Sequence, residues 1–212
     1  MLFRSVSQSR YDALVSGDAQ VYGNAWVSGD ALVSGDAWVY GNAKVYGNAK
    51  VSGNAKVYGD AWVSGNAKVY GSAKVYGDAW VYGNAWVSGD AWVYGNARVS
   101  GNARVYGNAR VYGNAQVSGD AWVSGNALVS GDAWVDKRRD IFWLSIIGSE
   151  GGTYTAFKNK DGGVSVNRGC FNGTFKQFID AVEATHISTE FYHEYQAVIE
   201  LTKARLSVEA EA

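Results

Sequence analysis

Residues 21–26 read Val-Tyr-Gly-Asn-Ala-Trp, one copy of a unit, Val-(Ser/Tyr)-Gly-(Asp/Asn)-Ala-x, that recurs without an insertion from position 13 to position 135. Valine stands at every sixth position from Val15 to Val135, which makes 21 valines in one register. Ser72 is the single departure from Asp or Asn in its column. Because a fixed internal period is the signature of an architecture that stacks one small unit, this stretch decides the fold.

Each hexapeptide has the pattern of a short strand followed by a corner. The alternation Ala, x, Val, Ser/Tyr predicts a strand with one buried face, and Gly before Asp or Asn tolerates the backbone angles of a tight turn. Strands this short are stable only when they stack, so we expect a β-solenoid with Val and Ala inside. A buried Val stabilises the fold by roughly 1.5 kcal/mol, and 21 of them form a credible core.

An aliphatic residue followed four positions later by a small one, as in Val21 and Ala25, resembles the hexapeptide-repeat family of left-handed parallel β-helices. The resemblance covers roughly residues 13–135. It implies a left-handed triangular prism with 18 residues per coil and about seven coils, roughly 33 Å long at the spacing of strands in a sheet. It also implies a homotrimer, because members of this family commonly pack through prism faces.

The composition changes abruptly after residue 135. We predict an N-terminal cap over 1–12, the hexapeptide-repeat β-helix over 13–135, and an α+β domain of order ββ(β)αα over 136–212. Strands are expected at 141–147, 153–159 and 164–166. A capping box from Thr174 to Gln177 begins one helix, and a second is expected from about Thr189 to Leu206, with Leu201 on its apolar side.

Residues 169–178, Gly-Cys-Phe-x-Gly-Thr-x-x-x-Phe, resemble a small module of uncharacterised phage and prophage proteins, which implies a phage-encoded accessory or anti-defence role.

The composition excludes several classes of protein. Aromatic residues at 14% and charged residues at 18% argue against a disordered chain, and a single cysteine excludes an intrachain disulfide framework. The sequence has no run of 18 apolar residues and no signal-like N-terminus, so we expect a soluble, cytoplasmic protein. A formal net charge of −1 argues against nucleic acid and membranes as partners.

At 18 residues per coil, one prism face combines stacked tyrosines with alternating Trp and cations. Its candidate residues for a ligand or oligomer face are Tyr40, Tyr58, Tyr76, Tyr94, Tyr112, Trp38, Trp92, Lys56, Lys74 and Arg110. Three interpretations stay open. The residues form a solvated face held by cation–π pairs, they mediate self-association, or they bind an anionic aromatic ligand such as a signalling nucleotide.

Catalytic chemistry has few candidate residues in this sequence. Positions 1–185 contain no histidine, although acyl transfer uses a general base and zinc hydration uses histidine ligands, so we predict a non-catalytic rod without metal or cofactor. In the C-terminal module the candidates are Cys170, Thr174, His186 and His193. Three of them also have a purely structural interpretation: Cys170 is a small core residue, Thr174 caps a helix, and His193 lies at the surface or in an interface.

These observations lead to three hypotheses about function. The first is a non-enzymatic binding or scaffold protein, a trimeric rod whose C-terminal domain caps it and contacts a protein partner. The second is a sequestering protein of the anti-defence type that binds an anionic aromatic ligand. The third is an atypical hexapeptide acyltransferase with an unusual base.

Overall fold

The computed structural model describes residues 13–207, so the predicted cap over 1–12 and residues 208–212 lie outside the described part. Twenty-one two-residue strands, β1–β21 in chain order, run from Leu14 to Val135. Each pairs in parallel with the third strand along the chain, so that Leu14 lies beside Leu32, 18 residues later. The strands form three seven-stranded parallel sheets. The predicted β-solenoid of about seven triangular coils is therefore confirmed, whereas its left-handed winding stays a prediction.

The three solenoid sheets are named A, B and C. Sheet A contains Leu14–Val15, Leu32–Val33, Lys50–Val51, Lys68–Val69, Trp86–Val87, Arg104–Val105 and Trp122–Val123. Sheet B contains Gln20–Val21, Trp38–Val39, Lys56–Val57, Lys74–Val75, Trp92–Val93, Arg110–Val111 and Leu128–Val129. Sheet C contains Trp26–Val27, Lys44–Val45, Trp62–Val63, Trp80–Val81, Arg98–Val99, Gln116–Val117 and Trp134–Val135.

The interior and the corners follow the repeat. Valine and alanine are fully buried from Val33 to Val129. The glycine after each Ser or Tyr has a positive φ, as in Gly113 at +71°. A Cβ on Gly113 would lie 2.9 Å from the backbone nitrogen of Gly131 in the next coil. Beside the glycines, corner amides join successive coils, as in Asn66 Nδ2, which donates to Asn84 Oδ1 at 3.1 Å. The corner therefore needs glycine both for its backbone angle and for the close approach of coils.

The C-terminal domain is a four-stranded antiparallel sheet with two helices, which confirms the predicted α+β class. Its strands are β22 (Ile141–Ile147), β23 (Gly152–Lys158), β24 (Val164–Arg168) and β25 (Phe171–Thr174), in that spatial order. Helices α1 (Phe175–His186) and α2 (Tyr192–Leu206) follow. The predicted capping box is present: Thr174 Oγ1 accepts from Gln177 N at 3.2 Å, and Gln177 Oε1 accepts from Thr174 N at 2.9 Å.

Three expectations for this domain need correction. Residues 171–174 form a fourth strand, because Phe171 to Thr174 pair antiparallel with Arg168 to Ser165. The second helix begins at Tyr192 rather than Thr189, whose hydroxyl instead donates to the last carbonyl of α1, that of His186, at 2.9 Å. Leu201 is 45% exposed, so its placement on the buried side was wrong. The buried side of α2 carries Tyr195, Val198, Ile199, Thr202 and Leu206.

The C-terminal domain covers the last coil of the solenoid. Ile141 and Phe157 extend the Val/Ala core. The Leu128 backbone N–H, which an eighth coil would otherwise engage, donates to Thr155 Oγ1 at 3.1 Å. The Leu128 carbonyl accepts from Asn167 Nδ2 at 2.8 Å. Two fully or nearly fully buried polar side chains thus take the place of a neighbouring strand on this edge.

An ion pair also links the two parts of the chain. Lys160 Nζ lies 2.8 Å from Asp132 Oδ2 at the last corner of the rod. The hydrogen bonds from Lys160 and Asn114 lower the pKa of Asp132 below its usual value.

Among residues 13–207, no helix is both long and apolar enough to cross a membrane.

Candidate functional site

All ten candidate residues of the rod lie on the outward side of sheet B, which we call the tyrosine face. Six rings stack along it at centroid distances of 4.8–5.0 Å with planes within 4° of parallel. The stacked residues are Tyr22, Tyr40, Tyr58, Tyr76, Tyr94 and Tyr112. The spacing equals that of parallel strands, because one tyrosine in each coil is held in identical register.

The tyrosine rings cover one another. Tyr40, Tyr58, Tyr76 and Tyr94 are half-buried, although they lie on the outside of the rod. Burial is the main cause that raises the pKa of each of these four phenols above its usual value. The tyrosine face is therefore an ordered aromatic surface without charge in its tyrosine column, bordered by the column of Trp and cations.

Cations in the neighbouring columns lie over indole rings. On the tyrosine face, Lys56 Nζ is 4.6 Å from the Trp38 ring, and Trp92 is held between Lys74 at 4.4 Å and Arg110 at 4.9 Å. On sheet C, Trp62 and Trp80 stack at 4.8 Å, with Lys44 and Arg98 at the two ends of the pair. Such contacts contribute about 0.5–1 kcal/mol each at exposed sites. Part of the aromatic surface is thus used for the stability of the rod.

The longest alternation of cations and indoles runs along sheet A, and we call it the indole ladder. Its order is Lys68, Trp86, Arg104, Trp122 and Arg138, with cation-to-ring distances of 4.6, 4.9, 5.2 and 3.7 Å. Arg138 belongs to the segment that leads into the C-terminal domain. The ladder therefore crosses from the rod to the junction between the two parts of the chain.

Two concave sites lie along the indole ladder. The ring groove, of about 210 Å³, is lined by Tyr70, Trp86, Ser88, Arg104, Tyr106 and Trp122. The junction cleft, of about 350 Å³, is lined by Trp122, Arg138, Ile141, Phe142, Trp143 and Arg205. Both combine aromatic walls with guanidinium groups, an arrangement that suits planar anionic molecules.

The C-terminal candidates do not form a catalytic arrangement. Cys170 is exposed at the turn between β24 and β25, and the Thr174 hydroxyl is engaged as the cap of α1. The His186 ring lies 4.8 Å from Tyr195 and 3.4 Å from the Thr189 hydroxyl, and His193 is exposed on α2. Within the described part of the chain, no hydrogen bond joins Cys170 to either histidine, and no group of His, Cys, Asp or Glu is arranged to hold a metal ion.

Reasoning from the sequence missed the sites on sheet A. The corresponding column of sheet A is mostly serine, but Tyr70 and Tyr106 flank Ser88 in it at intervals of one coil. That Tyr-Ser-Tyr order was the available signal. Arg138 and Arg205 line the same cleft although they are far apart in the sequence, and no local sequence pattern predicts this.

Three parallel sheets built from 18-residue coils define the chain as a β-solenoid protein with an α+β domain at one end. Its coils are similar to the repeat family described as YdcK Beta solenoid repeat, which matches residues 19–35, 25–41, 73–89, 91–105, 103–119 and 121–136. A comparison with curated proteins gives no match. The β-solenoid part of the expected resemblance is thus confirmed. The hexapeptide-repeat family and the phage-type module stay predictions.

Proposed function

We propose that this chain is a non-enzymatic binding and scaffold protein: a rigid trimeric rod that associates through the tyrosine face and presents its C-terminal domain to a protein partner. The tyrosine face carries the proposal. It is continuous over six coils, and its tyrosine column carries no charged residue. A contiguous aromatic surface on the outside of a protein is typical of an interaction site.

The geometry of the rod supports a second copy as the occupant of this face. The repeat has no insertion between positions 13 and 135, so no loop interrupts the surface. The cations on this face already lie over Trp38 and Trp92. These cations are therefore already engaged with aromatic rings of their own chain.

Light scattering at varied salt concentration tests the proposal. We expect a trimer whose mass does not change with salt, because aromatic packing is not screened by ions. The variant Tyr58→Ser/Tyr76→Ser is expected to be monomeric. Tyr46→Ser/Tyr82→Ser on sheet C is the matched control and is expected to stay trimeric. Serine occupies the same position of the repeat elsewhere in this rod, at Ser130 on sheet B and at Ser64 on sheet C, so both variants are compatible with the fold.

A monomeric wild-type protein, or equal dissociation of both variants, contradicts self-association through the tyrosine face. Turnover of acetyl-CoA by the purified protein contradicts the non-enzymatic part and favours the acyltransferase alternative.

A second candidate function is the sequestration of an anionic aromatic ligand, such as a signalling nucleotide. The indole ladder favours it, because alternating guanidinium and indole groups offer both stacking and charge neutralisation. Calorimetry against a nucleotide panel tests this function. Absence of heat together with unchanged tryptophan fluorescence contradicts it.

A further inference from the structure

In the column next to the indole ladder, one serine lies between two tyrosines. On the tyrosine face this column holds tyrosine in six successive coils, and neighbouring rings lie 4.8–5.0 Å apart. On sheet A the same column holds Tyr70, Ser88 and Tyr106 in three successive coils. The two rings are therefore separated by two coils, or roughly 9.6 Å, and only a serine side chain lies between them.

A planar ring fits this gap in the way that a tyrosine would. Midway between Tyr70 and Tyr106 it would lie roughly 4.8 Å from each ring, within the range of favourable aromatic pairs. The gap coincides with the ring groove, whose volume is about 210 Å³. Tyr70 and Tyr106 are held in place by edge contacts with Trp86 and Trp122, at centroid distances of 6.3 and 6.5 Å. Each tyrosine wall of the groove is therefore supported by a tryptophan of the next coil.

The charge around the groove selects for an anionic ligand. Arg104 lies 4.9 Å from the Trp86 ring and 5.2 Å from the Trp122 ring. A guanidinium that stacks by its flat face keeps in-plane N–H donors for a carboxylate or phosphate. Lys68 approaches Trp86 from the preceding coil at 4.6 Å. Asp90 follows Ser88 at the corner, so an anionic group is favoured on the tryptophan side of the groove and disfavoured on the corner side.

We propose that the ring groove is a binding site for one planar aromatic ring system that carries a single anionic group. The ring stacks between Tyr70 and Tyr106, and the anion pairs with Arg104. This inference rests on the second candidate function and gives it a location and a ligand size. A groove of about 210 Å³ lies below the usual 300–1,000 Å³ of sites for drug-sized ligands. It therefore suits an aromatic carboxylate or a nucleoside monophosphate better than a larger nucleotide.

A related gap on sheet C provides an internal comparison. Ser64 lies between Tyr46 and Tyr82 with the same spacing of one coil. The tryptophan of its own coil, Trp62, has Lys44 on one side and the Trp80 ring on the other. The gap at Ser64 thus has the aromatic walls but only one adjacent cation, whereas the ring groove has two.

Binding to the full chain is measured by calorimetry and tryptophan fluorescence with two anionic probes, 2-naphthoate and adenosine monophosphate. Their neutral counterparts are 2-naphthalenemethanol and adenosine. We expect both anions to bind more tightly than their counterparts, and the better anion identifies the carboxylate or the nucleotide as the source of the ligand. Arg104→Gln is expected to weaken binding of the anions about fivefold and to leave the neutral compounds unchanged.

The decisive variant is Ser88→Tyr, which fills the groove with the protein's own ring. We expect it to weaken binding of the probes at least about tenfold. Ser52→Tyr adds a ring on the other side of Tyr70 without filling the groove, and Ser64→Tyr fills the gap on sheet C. Both are expected to bind within about twofold of wild type. Tyr106→Ser removes one wall of the groove and provides a second test. Serine already occupies this column at Ser52 and Ser88, so the variant is compatible with the fold.

Wild-type affinity in both Ser88→Tyr and Tyr106→Ser overturns the inference. If Arg205→Gln in the junction cleft abolishes binding while Ser88→Tyr does not, the ring groove is refuted but ligand binding as a function survives. If neither anionic probe binds wild-type protein, the ring groove is refuted whatever the nucleotide panel shows. Loss of binding in Ser88→Tyr and Tyr106→Ser, with retention in Ser52→Tyr, supports it.

Discussion

Replacing the corner glycine Gly113 by alanine is expected to destabilise the rod more than the same change at Gly131. The two residues occupy one corner column, one coil apart, with φ values of +71° and +61°. A Cβ on Gly113 would lie 2.9 Å from Gly131 N and 3.4 Å from Gly131 Cα. A Cβ on Gly131 would meet nothing within 4 Å. The pair therefore separates the cost of a left-handed backbone from the cost of close stacking.

The expected magnitudes follow from these two contributions. A left-handed conformation costs a non-glycine residue about 1–2 kcal/mol, and this cost applies to both variants. The contact with the Gly131 backbone adds about 1–3 kcal/mol of overpacking, because a backbone atom cannot rotate away as a side chain does. We therefore expect losses of about 1–2 kcal/mol for Gly131→Ala and about 2–5 kcal/mol for Gly113→Ala.

Urea denaturation followed by far-UV circular dichroism measures both losses on the full chain. The two positions lie near the same end of the rod, beside the C-terminal domain, so differences in local fraying affect them alike. Thermal scans offer a second measurement, in which each kcal/mol lowers Tm by about 2–4 °C for a chain of this size. Equal losses for the two variants would refute the argument that contact between corners of successive coils limits this position to glycine.

Further variants test the cap, the indole contacts and the buried phenol. Thr155→Val leaves the Leu128 N–H without its acceptor and is expected to lower the free energy of unfolding, measured by urea denaturation, by about 1–3 kcal/mol. The control Thr153→Val removes a hydroxyl near the surface and is expected to lower it by less than about 0.5 kcal/mol. Lys74→Gln removes the cation over Trp92 and is expected to cost about 0.5–1 kcal/mol. Lys50→Gln, whose neighbours in the sheet are Leu32 and Lys68, is expected to have almost no effect. Burial raises the pKa of Tyr154. At pH values at which this phenol ionises in the unfolded chain, it therefore stays protonated in the folded state. The free energy of unfolding should therefore fall as the pH rises above about 10, and Tyr154→Phe should make this fall shallower in urea titrations at alkaline pH.

Local chemistry explains why the solenoid was predictable. Val33 and its equivalents recur at one period, and a shift of register would expose every valine at once, so a single arrangement satisfies the whole stretch. The tyrosine face was predictable for the same reason, because residues 18 positions apart must lie one above the other once the coil length is known. The capping box at Thr174 is also a local signal and was located correctly.

Other features depend on distant contacts. Leu201 lies at a helical spacing that fits an apolar side, yet α2 buries Thr202 instead, because its hydroxyl meets the Tyr154 hydroxyl at 2.8 Å. Residues 171–174 contain Asn172 and Gly173, which weaken any strand pattern, and they become a strand only by pairing with β24. The junction cleft has no signature in the sequence, since its two arginines are 67 positions apart.

The sequence, together with the 18-residue coil that the family resemblance implies, specifies the rod, its length and the residues on each outward face, because the solenoid strands pair at equivalent positions 18 residues apart. The tertiary structure decides how the rod ends and where it is concave. The docking of the C-terminal sheet brings Thr155 and Asn167 to the open edge of the last coil. The stacking of coils turns the order Tyr70, Ser88, Tyr106 into a groove of defined width. The physical reason is that a periodic pattern encodes contacts between equivalent residues, whereas the cap depends on contacts between the rod and non-equivalent residues, and the groove lies where Ser88 interrupts a pair of equivalent tyrosines.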